Sequence, residues 1–250
     1  MSEELIGLIP AAGRGIRLGL PYPKELYPVI RDNRYKPISQ FVVDNMTVAG
    51  IRHIVFVINE TKHQLIAFFG DGHRFHCELS YVVQEHRAAE GKSTSPGLSD
   101  ALDSAYHLIR GKTVCFGMAD TIMQPEDVFV KGLKSAMPDD DVILMLFPTE
   151  RPEKFGMVRS GGGNRVLEIV DKPKHTDLTN MWGCIIWRPS FTEYLHVNVR
   201  EKGVSDFAVI MNTAIQSGFK FRGVHMDKGI YIDLGTYDEI ADMDRRYREE

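Results

Sequence analysis

Leu5-Ile6-Gly7-Leu8-Ile9-Pro10 runs directly into Ala11-Ala12-Gly13-Arg14-Gly15-Ile16-Arg17-Leu18, and Pro23-Lys24-Glu25-Leu26 closes the segment. The first six residues have the length and apolarity of a buried strand. The residues after it form a small-residue turn that carries arginines. Gly13 and Gly15 let backbone N–H groups approach an anion, and Arg17 and Lys24 can neutralise it. A strand that ends in such a turn is a place to hold phosphates.

Outward from this segment, short apolar runs alternate with helical patterns. Pro37 to Ala49 has helical spacing at Ile38, Phe41, Val42 and Met46, with Gly50 as its stop. His53 to Asn59 reads as a strand, and Thr61 as the cap of a helix reaching Phe69. Leu79 to Gln84 is a third strand. Ser95-Pro96 opens a helix through Ile109, and Val114 to Ala119 is a fourth strand. Glu126 to Met137 is helical, and Asp141 to Phe147 is a fifth strand. Strands separated by helices of this length imply βαβ units and a parallel sheet.

The pattern changes after Pro148. Phe155 to Arg159 and Val166 to Val170 flank Ser160-Gly161-Gly162-Gly163-Asn164, a hairpin signal. A strand over Met181 to Trp187, a helix over Ser205 to Gln216 and a strand over Phe219 to Met226 follow. Tyr231 to Gly235 then precedes a polar helix from Thr236. Residues 1–150 therefore read as a nucleotide-binding half and 151–250 as a mixed second half. No linker between them is long enough to separate independent domains.

Composition narrows the function. The 250 residues are 43% hydrophobic, enough for a sizeable core. A net charge of −4 argues against general nucleic-acid binding, which favours a basic footprint. Cys77, Cys115 and Cys184 stand far apart with no C-x-x-C pair, so they read as buried thiols in a reducing compartment. The apolar run after Glu4 is too short for a signal peptide or a membrane span. The expectation is a cytoplasmic protein without a membrane partner, whose oligomeric state, homo-oligomer included, stays open.

Three phosphate readings compete for the turn. A dinucleotide fingerprint needs a small residue where Leu18 stands, for close helix–strand packing. A P-loop needs a glycine at position 86, five positions ahead of Gly91 in Gly91-Lys92-Ser93-Thr94, but that position is His86. The third pattern is Gly-x-Gly-x-Arg-Leu followed by Pro23-Lys24.

That pattern resembles the sugar-1-phosphate nucleotidyltransferase family. Further motifs carry the resemblance in order along the chain: Val83-Gln84, Gly97-Leu98-Ser99-Asp100-Ala101, Phe116-Gly117-Met118-Ala119-Asp120, Phe155-Gly156-Met157-Val158, Val170-Asp171-Lys172-Pro173, Met181-Trp182-Gly183-Cys184-Ile185 and Tyr231-Ile232-Asp233-Leu234-Gly235-Thr236. The resemblance implies a three-layer α/β sandwich with a mostly parallel, Rossmann-like mixed sheet. It also implies nucleotidyl transfer from an NTP to a sugar 1-phosphate, with release of pyrophosphate. Little covalent work is then asked of the protein, because positioning and charge neutralisation dominate.

By the same resemblance, Ala12, Gly13, Gly15 and Arg17 would hold the triphosphate, and Lys24 would bridge the α-phosphate and the incoming sugar phosphate. Asp120 and Asp233 would bind Mg²⁺, which takes carboxylate and phosphate oxygens. The less favoured alternatives are that Arg17 and Lys24 form a solvated basic loop and that the two aspartates cap local structure. Gln84 would pair with the N3–O4 edge of uracil or thymine, together with the backbone of Gly97, which favours UTP or dTTP. Gly156, Asp171, Lys172 and Gly183 would line the sugar-phosphate pocket.

Departures from the family pattern are Ile16, Ala119, Asp171 and a long loop from Glu85 to Pro96. They bear on nucleotide and sugar preference more than on the reaction. Two alternatives keep part of the reading: a cytidylyltransferase with another phosphate acceptor, and a catalytically silent nucleotide-sugar sensor. The chain stops soon after Thr236, so no β-helix or acyltransferase extension is expected within it.

Overall fold

The computed structural model describes residues 4–15, 18–31, 34–85 and 97–248. The first strand, β1 (Leu5–Pro10), has its last five residues buried. It leads through the glycine-rich turn to a hairpin, β2 (Pro28–Arg31) with β3 (Arg34–Pro37), and then to α1 (Ile38–Val48). β4 (His53–Ile58), α2 (His63–Phe69), β5 (Glu78–Val83), α3 (Leu98–Ser104), α4 (Tyr106–Ile109) and β6 (Thr113–Gly117) follow. Next come β7 (Thr121–Gln124), α5 (Val128–Ser135), β8 (Val142–Pro148), β9 (Gly156–Ser160) and β10 (Val166–Asp171). The chain continues through β11 (Asn180–Trp187), α6 (Pro189–Arg200), α7 (Phe207–Gln216), β12 (Phe221–His225), β13 (Ile230–Asp233) and α8 (Tyr237–Arg248).

One mixed sheet runs through the middle in the order β12-β8-β11-β6-β1-β4-β5, and the β9–β10 hairpin joins β11 at Met181. Along that row β11 alone is antiparallel to its neighbours. The central strands are apolar on both faces because helices cover both faces. One core cluster includes Leu102, Phe191, Leu195 and Ile210 from α3, α6 and α7. The other includes Val42, Met46, Leu65 and Phe129 from α1, α2 and α5. At Gly7 a Cβ would lie 2.7 Å from the Met46 sulfur, so α1 sits directly on β1. The sandwich and the largely parallel sheet expected from the sequence are both present.

The connections fix where a ligand can go. From β1 the chain moves outward to β4 and β5, then returns to place β6 on the other side of β1. The strand order reverses between β1 and β6, and open α/β sheets bind ligands at the carboxyl ends of strands at such a point. The glycine-rich turn follows β1 and Asp120 follows β6. A third, smaller core of Leu18, Val29, Ile38, Ile122, Leu234, Ile240 and Met243 packs the turn, the β2–β3 hairpin, β13 and α8 together.

Local readings needed correction. Thr61 does not cap α2, which starts after Lys62; the Thr61 N–H and hydroxyl both donate to Asn59 Oδ1. The helix expected through Ile109 breaks at Ala105 into α3 and α4, and Ser95 and Pro96 lie outside the described residues. Three further elements carried no clear sequence signal: the β2–β3 hairpin, β7 and α6. In α6 the buried positions are Phe191, Thr192, Leu195 and Asn198, so two polar residues dilute its apolar stripe.

Candidate active site

The glycine-rich turn is tied down from beneath. The Ala11 N–H donates to Val57 O at 2.7 Å, and Asn59 Nδ2 donates to Ala12 O at 2.9 Å. Gly15 has φ +65°, a left-handed conformation that suits glycine, and a Cβ there would lie 3.8 Å from Lys24 Cγ. Among the described residues nothing lies within 4 Å of a would-be Cβ at Gly13. Tyr237 of α8 donates its hydroxyl to Leu18 O, which holds the far side of the turn. Arg17 lies outside the described residues.

Asp120 and Asp233 are 113 positions apart and meet through β7 and β13. Thr121 is the register partner of Asp233, and the Leu234 N–H donates to Asp120 O at 3.0 Å. Lys24 reaches across from the turn, and its Nζ donates to Asp120 Oδ2. Both partners are sheltered, with side chains 14% and 12% exposed. Burial alone would lower the Lys24 pKa, but Asp120, with Glu25 and Asp233 beyond it, holds it above the usual lysine value. The structure thus brings Lys24, Asp120 and Asp233 together, with the Lys24 ammonium on the Asp120 carboxylate.

Sequence reasoning missed what lies under Lys24. Glu25 is buried and accepts from Lys62 Nζ, and both side chains are only 3% exposed. Burial pushes the Glu25 carboxyl up and the Lys62 amine down, each toward its neutral form. Ser39 Oγ donates to Glu25 O at 2.6 Å, which fixes the backbone beside Lys24. A charged pair in a polar stretch such as Asn59 to Lys62 gives no sequence sign of being buried.

Gln84 is buried at the end of β5 and lines a cavity of about 520 Å³ with Asp100, Asp103 and Arg200. Gly97 stands at the start of α3, where a Cβ would lie 2.6 Å from Ser205 O, so close packing alone demands glycine there. Its N–H donates to Asp100 Oδ2 at 2.7 Å.

Gly156 and Asp171 are register partners across the β9–β10 hairpin. Lys172 follows with φ 44°, its side chain 62% exposed and 3.8 Å from Asp171. Gly183 sits at an irregularity in the β11–β8 ladder, where a Cβ would meet Phe147 and Tyr231 at 2.6 and 2.8 Å. Tyr231 is two residues from Asp233, which brings this strand to the carboxylate end of the site. A Cβ at Gly156 would run into the Trp182 indole, whose buried Nε1 has no hydrogen-bond partner among the described residues. Beside Asp233 a second cavity, of about 590 Å³, is lined by Arg151, Lys154, Phe155 and Tyr231.

The donor set suits a magnesium ion. No cluster of three or more His, Cys, Asp or Glu converges among the described residues; Asp120 and Asp233 are the carboxylates that the β7–β13 ladder brings together. Mg²⁺ commonly takes one or two protein carboxylates and fills its octahedron with water and substrate phosphate oxygens. Among the described residues no helix is long and apolar enough to cross a membrane.

Known proteins carry the same pattern. The sequence pattern of one family, Nucleotidyl transferase, matches residues 6–250. Glucose-1-phosphate thymidylyltransferase from Streptomyces griseus is 25% identical over 95% of this chain and 64% of its own length. The Neisseria meningitidis protein of that name is 29% identical over 67% of this chain and 56% of its own. Bifunctional protein GlmU from Methanococcus maripaludis is 23% identical over 91% of this chain and 51% of its own. The chain thus spans between half and two thirds of the length of these relatives. A Bacillus anthracis structure in complex with a sucrose, provisionally called a glucose-1-phosphate thymidylyltransferase, superposes with a TM-score of 0.81. It is 20% identical and covers 98% of this chain and 96% of its own, a likeness of fold.

Proposed function

This chain belongs to the nucleotidyl transferase family, and we propose that it transfers a nucleoside monophosphate from an NTP to a sugar 1-phosphate. A phosphate oxygen of the sugar attacks the α-phosphorus, the bond to the bridging oxygen breaks, and pyrophosphate leaves. The observation that carries this reading is the meeting of Lys24, Asp120 and Asp233 at the switch point of the sheet, beside the glycine-rich turn. A cation beside the glycine-rich turn and two carboxylates suited to Mg²⁺ are the groups an in-line displacement between two phosphates needs.

In this reading the backbone of Ala12, Gly13 and Gly15 cradles the triphosphate with Arg17, and Lys24 aligns the α-phosphate with the incoming oxygen. Asp120 and Asp233 would hold Mg²⁺, which when bound supplies charge shielding along the triphosphate. Gln84 and Gly97 take the base, and dTTP or UTP fits the donor–acceptor pair of a glutamine amide. Gly156, Asp171, Lys172 and Gly183 take the sugar phosphate. Residues 1–150 and 151–250 act as one unit, because β11 of the second half lies directly against β6 of the first.

Pyrophosphate release measured for each NTP against a panel of sugar 1-phosphates tests this. Glucose 1-phosphate comes first in the panel, since two of the relatives are named for it. Turnover with dTTP or UTP that needs Mg²⁺ is expected. Asp120→Asn should lower kcat/KM by about 10²–10³-fold, as loss of an electrostatic contact to the reacting centre does. Full activity surviving Asp120→Asn combined with Lys24→Ala would remove the assignment.

A further inference from the structure

Lys24 Nζ donates to Asp120 Oδ2, one of the two carboxylates proposed to hold the metal. The pair is sheltered, and Asp233 and Glu25 add their negative charge around the same ammonium. A divalent cation approaching Asp120 therefore meets a carboxylate already neutralised and an ammonium that repels it. In so little water that repulsion is weakly screened. The ammonium stands on the aliphatic part of a long, unbranched side chain that passes beside Gly15, where a Cβ on the glycine would lie 3.8 Å from Lys24 Cγ. A triphosphate laid along the turn would offer Lys24 another anion without moving the backbone.

We infer that Lys24 is a stand-in cation: it competes with the divalent metal for Asp120 and yields that carboxylate when a triphosphate gives the ammonium a new partner. Metal and nucleotide then favour each other's binding through one side chain, since each removes an obstacle to the other. Bare chain binds the divalent ion weakly, and the metal is taken up together with its nucleotide. The inference rests on the proposed metal role of Asp120 and Asp233, and goes beyond it by giving Lys24 a part before any phosphate arrives.

The test is Mn²⁺ binding to the full chain without nucleotide, read from the electron paramagnetic resonance signal of free Mn²⁺. Lys24→Met keeps the side-chain length and removes the charge, and it should tighten Mn²⁺ binding roughly tenfold, the factor that about 1.4 kcal/mol of lost competition gives. Lys24→Arg should bind as the wild type does. Lys24→Gln serves as a second neutral variant should the methionine protein fold poorly, with the same tightening expected. Mn²⁺ affinity that is unchanged or weaker in both neutral variants overturns the stand-in role. Adding Asp120→Asn to Lys24→Met separates the two claims. If Asp120→Asn abolishes Mn²⁺ binding while Lys24→Met leaves the affinity where it was, the stand-in role falls and the metal site stands. If binding survives Asp120→Asn, the metal role of Asp120 falls with it.

Discussion

Glu25 and Lys62 form a buried ion pair directly beneath the residue proposed to hold the α-phosphate. Both ions have left water, so their mutual attraction does little more than offset the desolvation of each. Removing one partner alone is a different matter, because it leaves the other charge buried and uncompensated. Glu25→Ala should therefore cost about 3–5 kcal/mol, seen as a large fall in the urea midpoint. The double variant Glu25→Gln with Lys62→Met, which removes both charges, should recover most of that loss. If the single and double variants unfold at the same urea concentration, the pair is not coupled as described. This residue pair also shows the limit of reading the sequence. Lys24, Asp120 and Asp233 could be singled out in the sequence because each stands in a motif that resembles the family's. Glu25 and Lys62 could not, since a charge in a loop looks the same whether the fold later buries it or leaves it in water.

The turn and strand elements separate fold from function at their glycines. Gly15 has φ +65°, so Gly15→Ala should destabilise the protein by about 1–2 kcal/mol through backbone strain alone. Gly13 has no such demand, and a Cβ there meets nothing within 4 Å among the described residues. Gly13→Ala should leave the melting temperature unchanged, yet weaken NTP binding about tenfold if the backbone at that point must approach a phosphate, a loss that isothermal titration would register. Unchanged NTP affinity would take Gly13 out of the phosphate cradle. The central strands were readable because burial on both faces gives continuous apolar runs, and most of the helices because their stripes are clean. The small β7–β13 ladder that unites the two aspartates was not. Four residues, Thr121-Ile122-Met123-Gln124, are too few to show a period, and their partner strand lies more than a hundred positions away.

Across the whole molecule the second half of the chain closes the site on the first. α8 returns to the glycine-rich turn through Tyr237, and its Glu239 fastens the segment that carries Asp233. Glu239 Oε2 accepts the Gly235 N–H at 2.8 Å, and its other oxygen accepts from Lys154 of the β8–β9 connection. Burial would raise the Glu239 pKa, but Lys154, the Gly235 N–H and Thr236 together hold it below the ordinary 4.5. A carboxyl whose folded pKa is depressed adds stability above its unfolded pKa, and loses it as pH falls through the folded value. Its contribution should thus be complete at pH 7 and fade below about pH 4.5. Glu239→Gln should cost about 1 kcal/mol at pH 7, a discounted figure because Lys154 is one third exposed. Thermal melts of the two proteins should differ most near neutrality and converge on acidification, whereas parallel curves across the acid range would refute the pairing. On the proposed metal role of Asp233, the same variant should raise the Mg²⁺ concentration needed for half-maximal turnover more than it lowers kcat, because a looser Gly235 turn misplaces Asp233 without touching the reacting phosphates.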